Sequence, residues 1–176
     1  MSVDYSKRDK EREALMMFKK LTQNSIKKLK HSDFVPGNMV SFSYIAKNKL
    51  KVWDKSPLVL VLWRTKNYTL GLNFHWVPKK VRYILLTYIF NANKKNIANG
   101  LPLEISYKKI KPLIIKLKLI YVVRMYINAR ISARGIIIPQ QYMRKAIDLP
   151  SENFIGMSAE KAYAVVKKES KLKGRK

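Results

Sequence analysis

The apolar and polar positions at the start of the chain follow a helical pattern. Residues 5–30 repeat apolar side chains at a spacing of three or four, with Leu15, Phe18, Ile26 and Leu29 on one stripe and basic residues between them. This spacing predicts an amphipathic helix. The pattern leaves open whether the helix packs on the body of the protein or forms an arm that becomes ordered on a partner.

Three short segments follow with patterns typical of β-strands. Residues 39–46 place Val40, Phe42 and Tyr44 on one side and serines on the other. Residues 58–63 form a continuous apolar run suited to a central strand, and residues 69–77 alternate again. A period of two indicates strands. Because the connections are short, the three segments predict a small antiparallel meander or barrel.

Helical spacing returns after Pro78, where Val81, Leu85 and Ile89 share one stripe. Proline suits the first position of a helix, so Pro78 predicts its start. Residues 91–100 are polar and predict a loop. Ser106 is a candidate cap for a short helix, although residues 103–111 remain ambiguous.

A second proline predicts the longest helix of the chain. It begins at Pro112, carries Ile114, Leu117, Tyr121 and Met125 along one stripe, and ends near Gly135. Residues 136–138 then predict a short strand, residues 140–147 a short helix, and residues 158–170 a final helix.

The charge of the chain is strongly positive and unevenly distributed. Across 176 residues, 37 Lys and Arg face 11 Asp and Glu, which gives a formal net charge of +26. Glu104 is the only acidic residue between Lys55 and Ile147. Cations without acidic partners face either water or a polyanion, so this distribution favours a phosphate-rich or acidic partner.

The same inventory argues against several other classes. The chain has no cysteine, which excludes disulfides and zinc–thiolate sites. The chain has no glycine-rich phosphate-binding loop, and its middle has no close pair of acids. It therefore lacks the sequence features of a phosphoryl-transfer site or a metal site. His75 is interpreted as a histidine that makes a structural hydrogen bond. We therefore expect no enzyme activity and no cofactor, and the lack of a long apolar run predicts no membrane span.

Basic clusters beside aromatic residues are the candidate nucleic-acid contacts, because cations neutralise phosphate and aromatic rings stack on unpaired bases. The residues predicted to contact phosphate are Lys79, Lys80, Arg82, Lys116, Lys118, Arg124, Arg130 and Arg134. The three arginines at 124, 130 and 134 lie along the predicted long helix.

Three sets of segments resemble a tailed-bacteriophage family usually labelled DNA end protectors. They are Pro36-Gly37-Asn38-Met39-Val40-Ser41-Phe42-Ser43-Tyr44 followed by Ala46-Lys47; Trp53-Asp54-Lys55-Ser56-Pro57-Leu58-Val59-Leu60-Val61-Leu62 with Gly71-Leu72-Asn73-Phe74-His75-Trp76-Val77-Pro78; and Ile138-Pro139 with Tyr142, Ala146 and Leu149-Pro150-Ser151-Glu152-Asn153-Phe154. Together they span most of residues 36–155. The resemblance implies a small SH3-like barrel followed by helices, and a steric, non-catalytic role in shielding the ends of packaged DNA.

The expected fold is therefore α+β. A basic amphipathic helix or arm occupies residues 1–34, an SH3-like β-barrel residues 35–78, a helical region packed on the barrel residues 79–170, and a basic tail residues 171–176. The expected function is a virion-associated, DNA-binding phage protein, present in the host cytoplasm during assembly.

Two other functions remain open. A head, neck or tail assembly protein would dock its basic face on acidic virion proteins, and a ribosomal-type protein would bind RNA. DNA or RNA binding predicts a broad loss of affinity with salt, whereas an assembly role predicts binding to one protein face at a fixed copy number.

Overall fold

A computed structural model describes residues 5–25, 27–45 and 54–149, together with positions 161, 164, 165 and 168. Its helices are α1 (Tyr5–Ser25), α2 (Lys79–Ala92), α3 (Lys94–Ala98), α4 (Tyr107–Lys116) and α5 (Met143–Ala146). Its strands are β1 (Lys27–Lys28), β2 (Met39–Tyr44), β3 (Leu58–Arg64), β4 (Tyr68–Asn73), β5 (Val123–Ile127) and β6 (Ile131–Ile138). The predicted tail at 171–176 and most of the predicted final helix lie outside the described residues.

The strands form one antiparallel sheet that curls into a half-barrel, in the order β1-β6-β2-β3-β4-β5. The predicted meander is confirmed, because β2 pairs with β3 and β3 pairs with β4. The sheet also takes strands from residues 27–28 and 123–138, so it extends beyond the predicted range of 35–78. The α+β class is thus confirmed. The C-terminal half was predicted as helical except for a short strand at residues 136–138; that strand lies within β6, but β5 and the rest of β6 replace predicted helix.

The two faces of the sheet pack into separate hydrophobic cores. Along β2, Met39 faces the larger core, which α1, α2, α4 and α5 cover, and Val40 faces the smaller core inside the curl. Within the curl, the rings of Phe34, Phe42 and Tyr126 meet edge to face, with centroids 5.4 and 5.3 Å apart. The alternation predicted from the sequence therefore sorts side chains between two cores rather than between core and solvent.

The N-terminal helix packs on the body of the protein, which answers the question that its pattern left open. Ala14 and Met17 are buried in the larger core, whereas Leu15 of the predicted stripe is exposed. The helix ends at Ser25, five residues before the predicted end, and β1 follows it and pairs with β6.

The predicted long helix from Pro112 to the region of Gly135 is wrong. Ser106 caps a helix that begins at Tyr107, since its side chain accepts a hydrogen bond from the Lys109 N–H, and Pro112 lies inside that helix. Lys118 takes a left-handed backbone conformation (φ 56°), so the chain leaves the helix there. Strands β5 and β6 occupy the remainder, joined by a 3-10 turn over Asn128–Arg130.

Of two smaller predictions, one changes and one is confirmed. Residues 91–100 were predicted as a loop, but α2 continues to Ala92 and α3 follows directly. Residues 140–147 are helical as expected, with a 3-10 turn over Gln140–Tyr142 leading into α5.

Candidate nucleic-acid interface

A buried polar network joins two of the segments that carry the family resemblance. The Asp54 carboxylate lies 3.1 Å from the His75 Nδ1 and accepts a hydrogen bond from the Asn73 Nδ2 at 2.9 Å. The Asn73 Nδ2 also donates to the Tyr126 hydroxyl at 3.0 Å, and the Asn73 side-chain oxygen accepts from the His75 N–H. The network therefore fixes the chain before β3, the end of β4 and the middle of β5 to one another.

The charges in this network stabilise the ionised carboxylate. Burial raises the pKa of Asp54, but the charge and hydrogen bond of His75, with hydrogen bonds from Asn73 and Ser56, lower it by more. The net pKa is below the usual value. Burial, followed by the negative charge of Asp54, raises the pKa of Tyr126, so its hydroxyl stays protonated. The arrangement is that of a satisfied structural network.

This placement agrees with the interpretation of His75 as a structural residue. The ring is buried in a 3-10 turn over Phe74–Trp76, just beyond the end of β4. Glu104 lies elsewhere, beside Lys109, so the two acids nearest the middle of the chain do not meet. Among the described residues, no group of three or more His, Asp or Glu side chains is arranged to hold a metal ion.

Arg82, one of the eight predicted phosphate contacts, lies in the interior with 2% of its surface exposed. Its guanidinium donates to the carbonyl oxygens of Val77, Ile147 and Leu149 at 2.9, 2.8 and 3.2 Å. A fourth hydrogen bond reaches the His75 carbonyl at 3.4 Å. Arg82 thus ties the start of α2 to the segment after α5, and no part of it is presented for phosphate.

Lys79 and Lys80 lie in the first turn of α2, and both side chains are exposed. Lys79 forms an ion pair with Glu11 of α1, and Lys145 of α5 forms one with Glu13. The acids of α1 therefore neutralise part of the charge on neighbouring helices. Lys116 and Lys118 are exposed at the end of α4, where cations also suit the negative end of the helix dipole.

The three predicted arginines do not share a helix. Arg124 lies on β5, with its guanidinium carbon 5.1 Å from the centre of the Trp76 ring, a distance typical of a cation–π contact. Arg130 ends the 3-10 turn between β5 and β6, and Arg134 lies on β6, where it pairs with Lys28 of β1. The predicted contacts thus lie on α2, at and just beyond the end of α4, on β5 and β6, and in the turn between these strands.

A comparison with protein families identifies the chain. The family model described as Phage T4 terminal DNA protecting protein matches residues 3–171. The chain belongs to this family. None of the curated proteins and none of the solved structures compared with the chain matches it significantly.

The family match confirms and extends the resemblance seen in the sequence. The resembling segments span most of residues 36–155, whereas the match to the terminal DNA protecting family also takes in α1 and reaches residue 171. The N-terminal helix is therefore part of the family pattern. No helix in the described ranges is both long and apolar enough to cross a membrane.

Sequence reasoning missed one surface feature of this family member. Trp63 ends the apolar run over residues 58–63, and Tyr68 lies in the short connection that follows this run. Both side chains are exposed on the sheet, beside the turn between β3 and β4. A register shift between Val61 and Trp63 turns Trp63 outward. Such a bulge depends on pairing with another strand, so the sequence of β3 alone carries no signal for it.

Proposed function

We propose that this protein binds the ends of linear phage DNA and shields them from exonucleases by occupying them, without catalysing a reaction. The observation that carries the proposal is membership of the terminal DNA protecting family over residues 3–171. Steric protection requires affinity for duplex ends and a surplus of positive charge, and it requires no catalytic residue.

The balance of charges along the sequence supports this proposal. Glu11, Glu13 and Glu104 each pair with a lysine, and Asp54 is buried beside His75. Because 37 Lys and Arg face 11 Asp and Glu, most of the positive charge has no acidic counterpart within the chain even if every acid pairs. Phosphate contacts that displace counterions would supply affinity without reading the DNA sequence.

The phosphate contacts that we propose are the members of the predicted set other than Arg82. They are Lys79, Lys80, Lys116, Lys118, Arg124, Arg130 and Arg134. Arg82 is omitted because its guanidinium is committed to main-chain carbonyls in the interior. Lys79 would exchange Glu11 for a phosphate on binding.

We further propose that the half-barrel is SH3-like, with the helical residues between β4 and β5 inserted into it. In support, the β2-β3-β4 meander continues into β5, and β6 returns to pair with β2. The protein would act within the virion, beside other virion proteins at the head or neck, after assembly in the host cytoplasm.

A salt series with purified full-length protein and labelled linear duplex DNA tests the proposal. We expect log K to fall with log salt with a slope of about −0.9 for each phosphate contacted. Replacing Lys80 and Lys116 by Gln removes two contacts and should reduce the slope by about 1.8. The matched control replaces Lys94 and Lys95 of α3, which carry the same charge on a short helix outside the proposed set.

The outcomes separate the competing functions. Equal effects of the two pairs would reject the proposed contacts and indicate binding by overall charge alone. Absence of DNA binding at low salt would contradict the proposal and favour a structural role in the virion.

A further inference from the structure

One end of the sheet carries an exposed apolar patch on strands β3, β4 and β5. The pairing places Trp63 opposite Leu70 and Leu70 opposite Met125, and in the next row Tyr68 lies opposite Ile127. Residues directly opposite each other, or two apart on one strand, share a face of the sheet. The five side chains therefore form one surface, here called the hairpin patch.

The hairpin patch lies where the sheet extends beyond the helices that cover the rest of this face. Leu72 and Val123, next along β4 and β5, pack in the larger core, whereas Trp63, Tyr68 and Met125 are 46%, 42% and 59% exposed. Large exposed apolar surfaces mark interaction sites, and Trp and Tyr supply flat rings for stacking.

The residues around the hairpin patch are positively charged, which favours a negatively charged partner. Lys66 lies in the turn between β3 and β4, and the 3-10 turn that ends at Arg130 is fixed against that turn by Asn128. The Asn128 Nδ2 donates to the Thr65 and Lys66 carbonyls, both at 3.0 Å, and its side-chain oxygen accepts from the Thr69 hydroxyl at 2.7 Å. These strands and turns contain no Asp or Glu, so Lys66 and Arg130 give the patch a positively charged edge, here called the basic border.

We propose that the hairpin patch stacks on the terminal base pair of duplex DNA while the basic border contacts the flanking phosphates. Within a duplex, each base pair is covered on both faces by its neighbours, and only at an end is one flat face open. An aromatic surface beside cations would therefore bind an end in preference to the interior. This inference rests on the proposed function and adds a structural basis for recognition of the end.

The test compares binding to a blunt linear duplex with competition from a closed circle of the same sequence. The variant replaces Trp63 and Tyr68 by Ser. The matched control makes the same replacement at Ile84 and Tyr88 of α2, which are 55% and 46% exposed and lie outside the patch. Circular dichroism and thermal unfolding verify that both variants are folded.

We expect the wild-type protein and the control to prefer the end, and the patch variant to lose this preference by ~10-fold or more, since stacking of aromatic side chains on bases contributes on that scale. Binding of the variant to the circle should persist, because phosphate contacts remain. A 2-aminopurine at the terminal position should be quenched by the wild-type protein and the control and not by the patch variant.

Two results would overturn the inference while leaving the proposed function in place. One is a patch variant that retains the preference of the wild-type protein for ends. The other is a variant that loses binding to ends and circle equally. A wild-type protein without any preference for ends would instead reject the proposed end protection, and the stacking inference with it.

Discussion

Two charged side chains that lie inside the protein, Arg82 and Asp54, have structural partners there. Arg82 donates to main-chain carbonyls in two segments that are far apart in the sequence, residues 75–77 and 147–149. Asp54 lies beside His75 and accepts hydrogen bonds from the Asn73 side chain and the Ser56 N–H. Burying charge is costly unless hydrogen bonds compensate for the lost hydration. At the scale of the residue, these two positions should therefore govern stability and not affinity for DNA.

Arg82→Met is expected to lower the free energy of unfolding by about 3 kcal/mol or more, because several buried carbonyls lose their donor. The midpoint of urea unfolding measures this change. Lys80→Met, two residues away but exposed, should change it by less than about 0.5 kcal/mol. Equal stability of the two variants would show that the carbonyl contacts of Arg82 contribute little.

Asp54 should make stability depend on pH in acid. Its pKa is lowered in the folded state, so the stabilisation is fully present above the unfolded value of about 3.9 and is lost as pH falls from there through the folded pKa. Asp54→Asn removes this dependence and should flatten the curve of stability against pH below about 4.

Glu104→Gln is the control for Asp54→Asn. The hydrogen bond and charge of Lys109 lower the pKa of Glu104, but this carboxylate is fully exposed and its interactions are screened by solvent. Urea unfolding at several pH values distinguishes the two variants. If stability of the Asp54→Asn variant still falls with pH as steeply as that of the wild-type protein, the pH dependence arises from other groups.

At the scale of the element, the sheet is held to the segments around it by close backbone contacts. Gly37 precedes β2 with a left-handed backbone (φ 95°), and its N–H donates to the Val61 carbonyl at 2.9 Å. A Cβ at Gly37 would overlap the carbonyl oxygen of Leu103. This glycine therefore fixes the turn before β2 against both β3 and the loop that leads to α4.

Gly37→Ala should destabilise the protein by more than about 1 kcal/mol, because it combines backbone strain with a steric overlap. Gly100→Ala is the control, since Gly100 also has a positive φ (65°) but nothing lies within 4 Å of its Cβ position. The difference in thermal unfolding between the two variants measures the effect of the steric overlap at Gly37, apart from the effect of a positive φ. A Gly37 variant no less stable than the Gly100 variant would contradict the close contact with Leu103.

The elements that could be predicted are those whose patterns are local. Strands β2, β3 and β4 and helix α2 appear at or near their predicted positions, because alternation and helical spacing are read within one segment. Strands β5 and β6 could not be separated from a helix, since the spacing of Ile114, Leu117, Tyr121 and Met125 fits a helical stripe. Pairing of β5 with β4 decides the outcome, and such a contact between distant segments leaves no local signal.

The candidate interface was predictable to a similar extent. Charge and composition predicted a polyanion or acidic partner, and the family resemblance implied that this partner is DNA. Burial of Arg82 and exposure of Trp63 depend on how distant segments pack, so neither followed from the sequence.

At the scale of the whole molecule, positive charge and shape make separate contributions to the proposed function. A net charge of +26 would give affinity for any duplex, independent of where the protein binds. Preference for an end requires a surface that fits only an end, for which the hairpin patch is the proposed element. Protection should therefore depend on the number of ends and not on the length of the DNA.

Protection of linear duplexes from an exonuclease tests this central claim most directly. Duplexes of different lengths are compared at equal concentrations of ends, with closed circles as competitor, while the protein is titrated. We expect protection to saturate at the same ratio of protein to ends for every length, with little effect of the circles. Protection that requires more protein in proportion to length, or that circles abolish, would contradict end binding and show that the protein coats DNA.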